Sequence, residues 1–153
     1  MEFDSEIILE LLDARTPERV TEVMLQILRR KAKKVSLVCT PRRTGSRRSL
    51  AENQRRRDTV ASLLRRNKGA VVFDHTLFLR RIEMMRKSSG DDDRDYLRAV
   101  FHLPLLRSGW IGTIYFAFEW RRSVGARWYH DQAKKLGIEI KIIQLSRGVR
   151  AVA

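Results

Sequence analysis

The residues best suited to chemistry form a short arginine-rich loop, predicted between an apolar run at 35–39 and a helix that begins near residue 50. Its candidate phosphate-binding side chains are Arg42, Arg43, Ser46, Arg47, Arg48 and Ser49. Guanidinium forks, hydroxyls and free N–H groups at a helix start all suit phosphate oxygens. In parallel sheets, ligands bind beyond the carboxyl ends of the strands, where this loop is expected. The loop therefore predicts a phosphate site; the alternative is a solvated loop whose charge adds only solubility.

Three more arginines, Arg55, Arg56 and Arg57, continue this pattern on the helix that follows. A Ser49 to Glu52 capping box predicts where that helix starts. We expect the three arginines to face outward and to extend the phosphate-binding surface of the loop.

Almost all of the net charge lies in the basic segment, residues 29–68, which holds fifteen Lys and Arg against Glu52 and Asp58, a formal +13 of the total +14. The flanking residues sum to −5 over 1–28 and to +6 over 69–153. Charge concentrated in this way indicates a polyanionic partner.

A second candidate site consists of Asp74 and Glu119, which are predicted at the ends of two strands. With Asp91, Asp93 or Asp95 from an acidic loop, these carboxylates would hold Mg²⁺, a hard cation that takes oxygen ligands. This arrangement would predict phosphodiester cleavage. In the alternative, Asp74 caps the next helix and the acidic loop is solvated.

Known catalytic motifs are missing from the sequence. It contains neither GxxxxGK[ST] nor GxGxxG, and His75, His102 and His130 lie 27 and 28 residues apart, without the spacing of zinc ligands. We therefore expect structural histidines and no cofactor, apart from Mg²⁺ if the carboxylates form a nuclease site. Whether the protein is an enzyme stays open at this point.

The order of predicted elements indicates an α/β fold. Strands are predicted at 35–39, 70–74, 110–120 and 138–145, and the stretch 96–103 is ambiguous. Helices are predicted at 5–13, 17–34, 49–68, 77–87 and 123–136. The prediction is a single-domain layered fold with a largely parallel or mixed sheet of four to five strands, flanked by helices and preceded by two N-terminal helices.

We expect one domain over residues 1–153, with an acidic helix at 4–14, the basic segment at 29–68 and a frayed tail at 146–153. The single Cys39 follows an apolar run and is expected to be buried in a reducing compartment. No apolar run reaches the length of a membrane span. The expected location is therefore intracellular, in the cytoplasm, nucleus or nucleoid, without a membrane partner.

Three function classes follow from these patterns. The leading hypothesis is a protein that binds the phosphate backbone of RNA or DNA through the arginine-rich loop and helix. The second is a metal-dependent nuclease or phosphotransfer enzyme that uses the strand-end carboxylates. The third is a homo-oligomer in which the acidic N-terminal helix of one copy meets the basic segment of another.

Overall fold

The computed structural model describes residues 5–42, 48–86 and 94–144. The chain forms two compact units, each built from two separate segments. Met1–Lys34 and Phe73–Trp110 form the helical unit; Val35–Val72 and Ile111–Ala153 form the sheet unit. Since neither unit is a contiguous stretch of chain, the single-domain prediction stays a prediction. The tail at 146–153 lies outside the described residues.

Most of the predicted helices and strands are present with shifted ends, but the strand predicted at 70–74 is absent. The helices are α1 (Ser5–Asp13), α2 (Pro17–Arg29), α3 (Leu50–Lys68), α4 (Thr76–Arg86), α5 (Arg94–Leu97), α6 (Leu103–Arg107) and α7 (Val124–Leu136). A π-helical turn, Arg98–His102, joins α5 to α6, and a 3₁₀ turn, Trp120–Arg122, precedes α7. The strands are β1 (Val35–Cys39), β2 (Ile111–Ala117) and β3 (Glu139–Ile143).

The helix ends confirm the capping signals in the sequence. Thr16 accepts a hydrogen bond from the Arg19 N–H at the start of α2, and Ser49 accepts one from the Glu52 N–H at the start of α3. Gly69 ends α3 in the left-handed region, with φ of 59°. These local interactions place α3 directly after the arginine-rich loop.

In the sheet unit, the three strands are parallel and lie in the order β1-β2-β3. Ser36 of β1 also forms an isolated parallel bridge with Val72, on the side away from β2. Within the described residues the sheet has three strands, so the predicted count of four to five is wrong. The apolar run at 70–74 contributes only this bridge, because the chain leaves the sheet unit after Val72. The ambiguous stretch at 96–103 is helical.

Helices α3 and α7 cover opposite faces of the sheet. Side chains alternate along a strand, so Tyr115 and Phe116 of β2 point to opposite faces. Tyr115 shares a buried cluster with Val60 and Leu64 of α3, whereas the Phe116 ring lies 5.3 Å from the His130 ring of α7. The sheet is therefore a central layer between two helices.

The helical unit is organised around α2, which packs against α1, α4, the π-helical turn and α6. Its buried face includes Val20, Met24 and Leu28. The Thr21 hydroxyl donates a hydrogen bond of 3.0 Å to the Val100 carbonyl in the π-helical turn. Within the described residues, no helix has the length and apolar character required to span a membrane.

Candidate nucleic-acid interface

The two units divide the charge of the chain very unequally. By sequence, the sheet unit contains 18 Lys and Arg against 5 Asp and Glu, a formal +13. The helical unit contains 14 Lys and Arg against 13 Asp and Glu, a formal +1. Residues 29–34 of the basic segment thus belong to a nearly neutral unit, and the excess of positive charge belongs to the sheet unit.

The strand order creates a topological switch point between β1 and β2, and parallel sheets commonly bind ligands at such a point. From β1 the chain passes through α3 to the Val72 bridge on one side, and from β2 it passes through α7 to β3 on the other. Because the two connections run in opposite directions, a crevice is expected beyond the carboxyl ends of β1 and β2. We call the described residues beyond these two ends the switch edge; they include Thr40 and Arg42 after β1, and Phe118 and Glu119 after β2.

The arginine-rich loop starts and ends at this edge. Arg42 follows β1, and its carbonyl accepts a 2.8 Å hydrogen bond from the side-chain amide of the buried Asn53 in α3. Arg48 and Ser49 lie at the start of α3. Arg43, Ser46 and Arg47 lie outside the described residues, so their predicted phosphate contacts stay a prediction.

The predicted outward orientation of the three helical arginines is wrong for Arg57. Arg55 is exposed and Arg56 is half-buried. Arg57 is only 3% exposed, and its Nε donates a 3.1 Å hydrogen bond to the Val38 carbonyl of β1. Successive residues on a helix are rotated by about 100°, so three in a row cannot share one face. Arg57 therefore joins α3 to the sheet.

Glu119 lies beside two arginines of the sheet unit. Its Oε1 lies 3.5 Å from Arg48 Nη1, and its Oε2 lies 3.9 Å from Arg56 Nη1. Both distances exceed the usual range for a charged hydrogen bond. Oε2 is buried and has no hydrogen-bond partner among the described residues. The Glu119 carboxylate therefore offsets positive charge of Arg48 and Arg56, but it forms no short hydrogen bond with either arginine.

The guanidinium group of Arg56 is also held by an aromatic ring. Its Cζ lies 3.7 Å from the centre of the Phe118 ring, a contact that attracts a cation to the ring face. Burial and the neighbouring Arg48 lower the pKa of Arg56, whereas Glu119 and Glu52 raise it. An arginine remains protonated under such shifts. Arg56 is therefore a fixed positive charge at the switch edge.

Phe118 itself has a left-handed backbone, with φ of 56°, and is the only non-glycine residue with positive φ in the described ranges. For a bulky side chain this conformation costs about 1–2 kcal/mol. The conformation turns the chain immediately after β2, where Glu119 meets the arginines. The sequence contains no signal for it, because the position shows neither Gly nor Asn.

Asp74 and Asp95, the other described residues of the predicted magnesium site, each have a different neighbour. Asp74 accepts hydrogen bonds from the N–H and the hydroxyl of Thr76, so it caps α4. Asp95 is exposed near Arg98, and Asp91 and Asp93 lie outside the described residues. Asp74 and Glu119 belong to different units. Within the described ranges, no group of three or more His, Cys, Asp or Glu is placed to hold a metal ion.

Beneath the switch edge, Cys39 and Tyr129 are buried. Burial raises the pKa of the Cys39 thiol to about 12, and Arg57 opposes this only in part. Burial likewise raises the pKa of Tyr129, with Arg57 and Arg42 lowering it. A thiol with so high a pKa is not a nucleophile at neutral pH. Cys39 is thus buried as predicted, and its compartment stays a prediction.

Phe116 and Trp120 form part of the core of the sheet unit. Trp120 is buried and stacks on His130, with ring centres 4.7 Å apart, and Phe116 contacts both rings. In the helical unit, His75 and His102 each contact the Phe101 ring. All three histidines therefore have packing contacts in the structure.

Comparison of the chain with protein-family models, with curated proteins and with solved structures found no match.

Proposed function

We propose that this protein binds nucleic acid, RNA or DNA, through phosphate contacts made by the sheet unit. The observation that carries this proposal is the division of charge, +13 in the sheet unit against +1 in the helical unit. A net charge of this size on one compact unit attracts a polyanion, and a linear polyphosphate satisfies many cations at once.

Exposed cations are available on several elements of the sheet unit. Those on α3 and on the turn and helix after β2 are Arg55, Arg65, Arg66, Lys68, Arg121, Arg122, Arg127, Lys134 and Lys135. Contacts from such side chains fix the position of a nucleic acid without reading its sequence. The proposed activity is therefore backbone binding with little sequence preference.

The test is a fluorescence-anisotropy titration of labelled single- and double-stranded RNA and DNA over a salt series. Each phosphate that is neutralised releases counterions, so log K should fall against log salt with a slope of about −0.7 to −0.9 per contact. Affinity that does not depend on salt, or no binding to any of the four at ~50 mM salt, would refute the proposal.

A matched pair of double variants tests the role of the sheet unit. Arg66→Gln with Lys68→Gln removes two exposed charges from α3, and Lys33→Gln with Lys34→Gln removes two from the helical unit. The first variant should reduce the salt slope by up to about two contacts, and the second should leave it nearly unchanged. Equal effects would show that the whole basic segment acts as one surface.

The nuclease hypothesis stays a prediction without a structural observation in its favour. Glu119 is engaged with Arg48 and Arg56, and Asp74 caps a helix. The same titrations, run with Mg²⁺ and followed by a gel, test it directly. Self-association through the acidic helix also stays a prediction, to be checked by the salt dependence of the sedimentation coefficient.

A further inference from the structure

We infer that Arg48 and Arg56 form a discrete site for one phosphate group at the switch edge, and that the carboxylate of Glu119 occupies this site in the free protein. The inference rests on the proposed function for its natural ligand, a phosphate of a nucleic acid. It goes further because it assigns one position, two binding side chains and an internal competitor.

Two arginine side chains converge on one carboxylate at the switch edge. Arg48 lies just before α3, Arg56 lies inside it, and Glu119 follows β2, yet both guanidinium groups point at one carboxylate. Two arginines that converge on an anion from different chain positions form the geometry in which guanidinium groups bind phosphate. Their location beyond the carboxyl ends of β1 and β2 is where ligands bind in parallel sheets.

The Glu119 carboxylate fits poorly between the two arginines. Its distances of 3.5 and 3.9 Å to the two arginines are long, and Oε2 lacks a hydrogen-bond partner among the described residues. A phosphate is larger, carries more acceptor oxygens and can meet both guanidinium groups at charged hydrogen-bond distance. The carboxylate is therefore displaceable, whereas Arg56 is kept in place by the Phe118 ring.

A third observation is an unused polar group at the same edge. Thr40 follows β1 and is 8% exposed, and its Oγ1 has no hydrogen-bond partner among the described residues. Cys39 lies opposite Phe116 in the register of β1 and β2, so Thr40 lies level with the end of β2, just before Phe118. A buried hydroxyl without a partner is costly unless a ligand completes it.

The test compares two variants that remove the same charge from the sheet unit. Glu119→Gln removes the internal competitor, and Glu139→Gln removes a carboxylate at the start of β3, where it pairs with Lys141 at 3.1 Å. Because β3 runs parallel to β1 and β2, its start lies at the sheet edge opposite to the switch edge. The Glu139→Gln variant therefore controls for the loss of one negative charge. Glu119→Gln should tighten oligonucleotide binding about three- to tenfold beyond any change in Glu139→Gln.

Two further measurements test the inference, and the first of them does not require Glu119→Gln to fold. Arg56→Gln should weaken binding more than Arg66→Gln, an exposed arginine of the same helix. In the double variant, Glu119→Gln should add nothing to Arg56→Gln. Equal losses for the two arginines, or equal affinities for Glu119→Gln and Glu139→Gln, would overturn the inference while leaving general backbone binding intact.

Inorganic phosphate separates this inference from the proposed function. Phosphate should raise the melting temperature of Glu119→Gln more than that of Glu139→Gln, because a ligand that binds only the native state stabilises it. If no variant binds oligonucleotides but this difference is seen, the site stands and its ligand is a free phosphate compound. If oligonucleotides bind but phosphate has equal effects, the assigned site is wrong. Weaker binding by Glu119→Gln would also overturn it, because Glu119 would then assist binding.

Discussion

Replacing Arg57 by methionine should separate the folding of this protein from its binding of nucleic acid. Arg57 is 3% exposed and donates a 3.1 Å hydrogen bond from α3 to the Val38 carbonyl of β1. A hydrogen bond from a charged donor contributes roughly 1.5–3 kcal/mol, and loss of this donor leaves the carbonyl less well satisfied. Removal of a buried charge offsets part of this cost. The methionine preserves the packing of the stem.

The expected net loss in the free energy of unfolding for Arg57→Met is therefore about 1–3 kcal/mol, or roughly 3–10 °C in melting temperature for a chain of this length. Urea unfolding followed by tryptophan fluorescence measures it. The control is Arg55→Met, whose exposed side chain should change stability by less than ~0.5 kcal/mol. Anisotropy titrations are run under conditions in which both variants are fully folded. The salt slope of nucleic-acid binding should fall by about one contact for Arg55→Met and stay constant for Arg57→Met.

Two results would refute this reasoning. If Arg57→Met unfolds within ~0.5 kcal/mol of the parent, the bond to Val38 does not hold α3 to the sheet. If its salt slope falls as that of Arg55→Met does, the guanidinium group reaches phosphate from its buried position.

Other predictions concern the backbone and the buried thiol. Gly69→Ala should destabilise the protein by about 1 kcal/mol, because φ is 59°, although a Cβ would meet nothing within 4 Å. Gly125→Ala inside α7 should stabilise the protein by about 0.4–1 kcal/mol. Urea unfolding measures both changes. Burial raises the pKa of Cys39 from 9.0 to about 12, so the unfolded state loses this proton first and stability should fall as pH rises from 9.0, by up to ~1.4 kcal/mol per pH unit. Cys39→Ala should flatten this alkaline decline, and a thiol reagent should modify native Cys39 only slowly compared with the urea-unfolded chain.

Local signals in the sequence predicted the elements that frame the site. Ser49 confirms its predicted role as the residue that starts α3, because a capping box depends only on residues three positions apart. The five-residue run of β1 was likewise predicted from its apolar, β-branched composition. Features of this kind do not need tertiary information.

Arg57 is buried and not outward-facing as predicted, although the sequence carries a signal for its burial. Positions 57, 60, 61 and 64 follow the i, i+3, i+4, i+7 spacing of one helix face, and Val60, Ala61 and Leu64 are buried. A charged residue on an apolar stripe is expected to find a partner inside, as Arg57 does with Val38. The predicted outward orientation of residues 55–57 follows from their charge and does not take the helical period into account.

The strand count and the ion pairs of Glu119 could not be derived from local pattern. The apolar run around Val72 reads like a strand, but whether it pairs over several residues depends on where the chain leaves the sheet. Glu119 and Arg48 are 71 residues apart in sequence. Only the parallel pairing of β1 with β2 brings their chain segments together. Such contacts follow from topology, which a single sequence specifies weakly.

Three departures from the usual rules of backbone conformation and polar pairing lie together at the switch edge of the sheet unit. A phenylalanine in the left-handed region, a buried hydroxyl without a described partner and a carboxylate with long ion pairs all lie beyond β1 and β2. Each costs stability, and natural proteins are expected to depart from local rules mainly at functional or strained sites. A scaffold that only needed to fold would place Gly at position 118 and a better partner near Glu119. Their concentration at the edge where parallel sheets bind ligands supports our proposal that this edge binds a phosphate, whose place the Glu119 carboxylate fills imperfectly in the free protein.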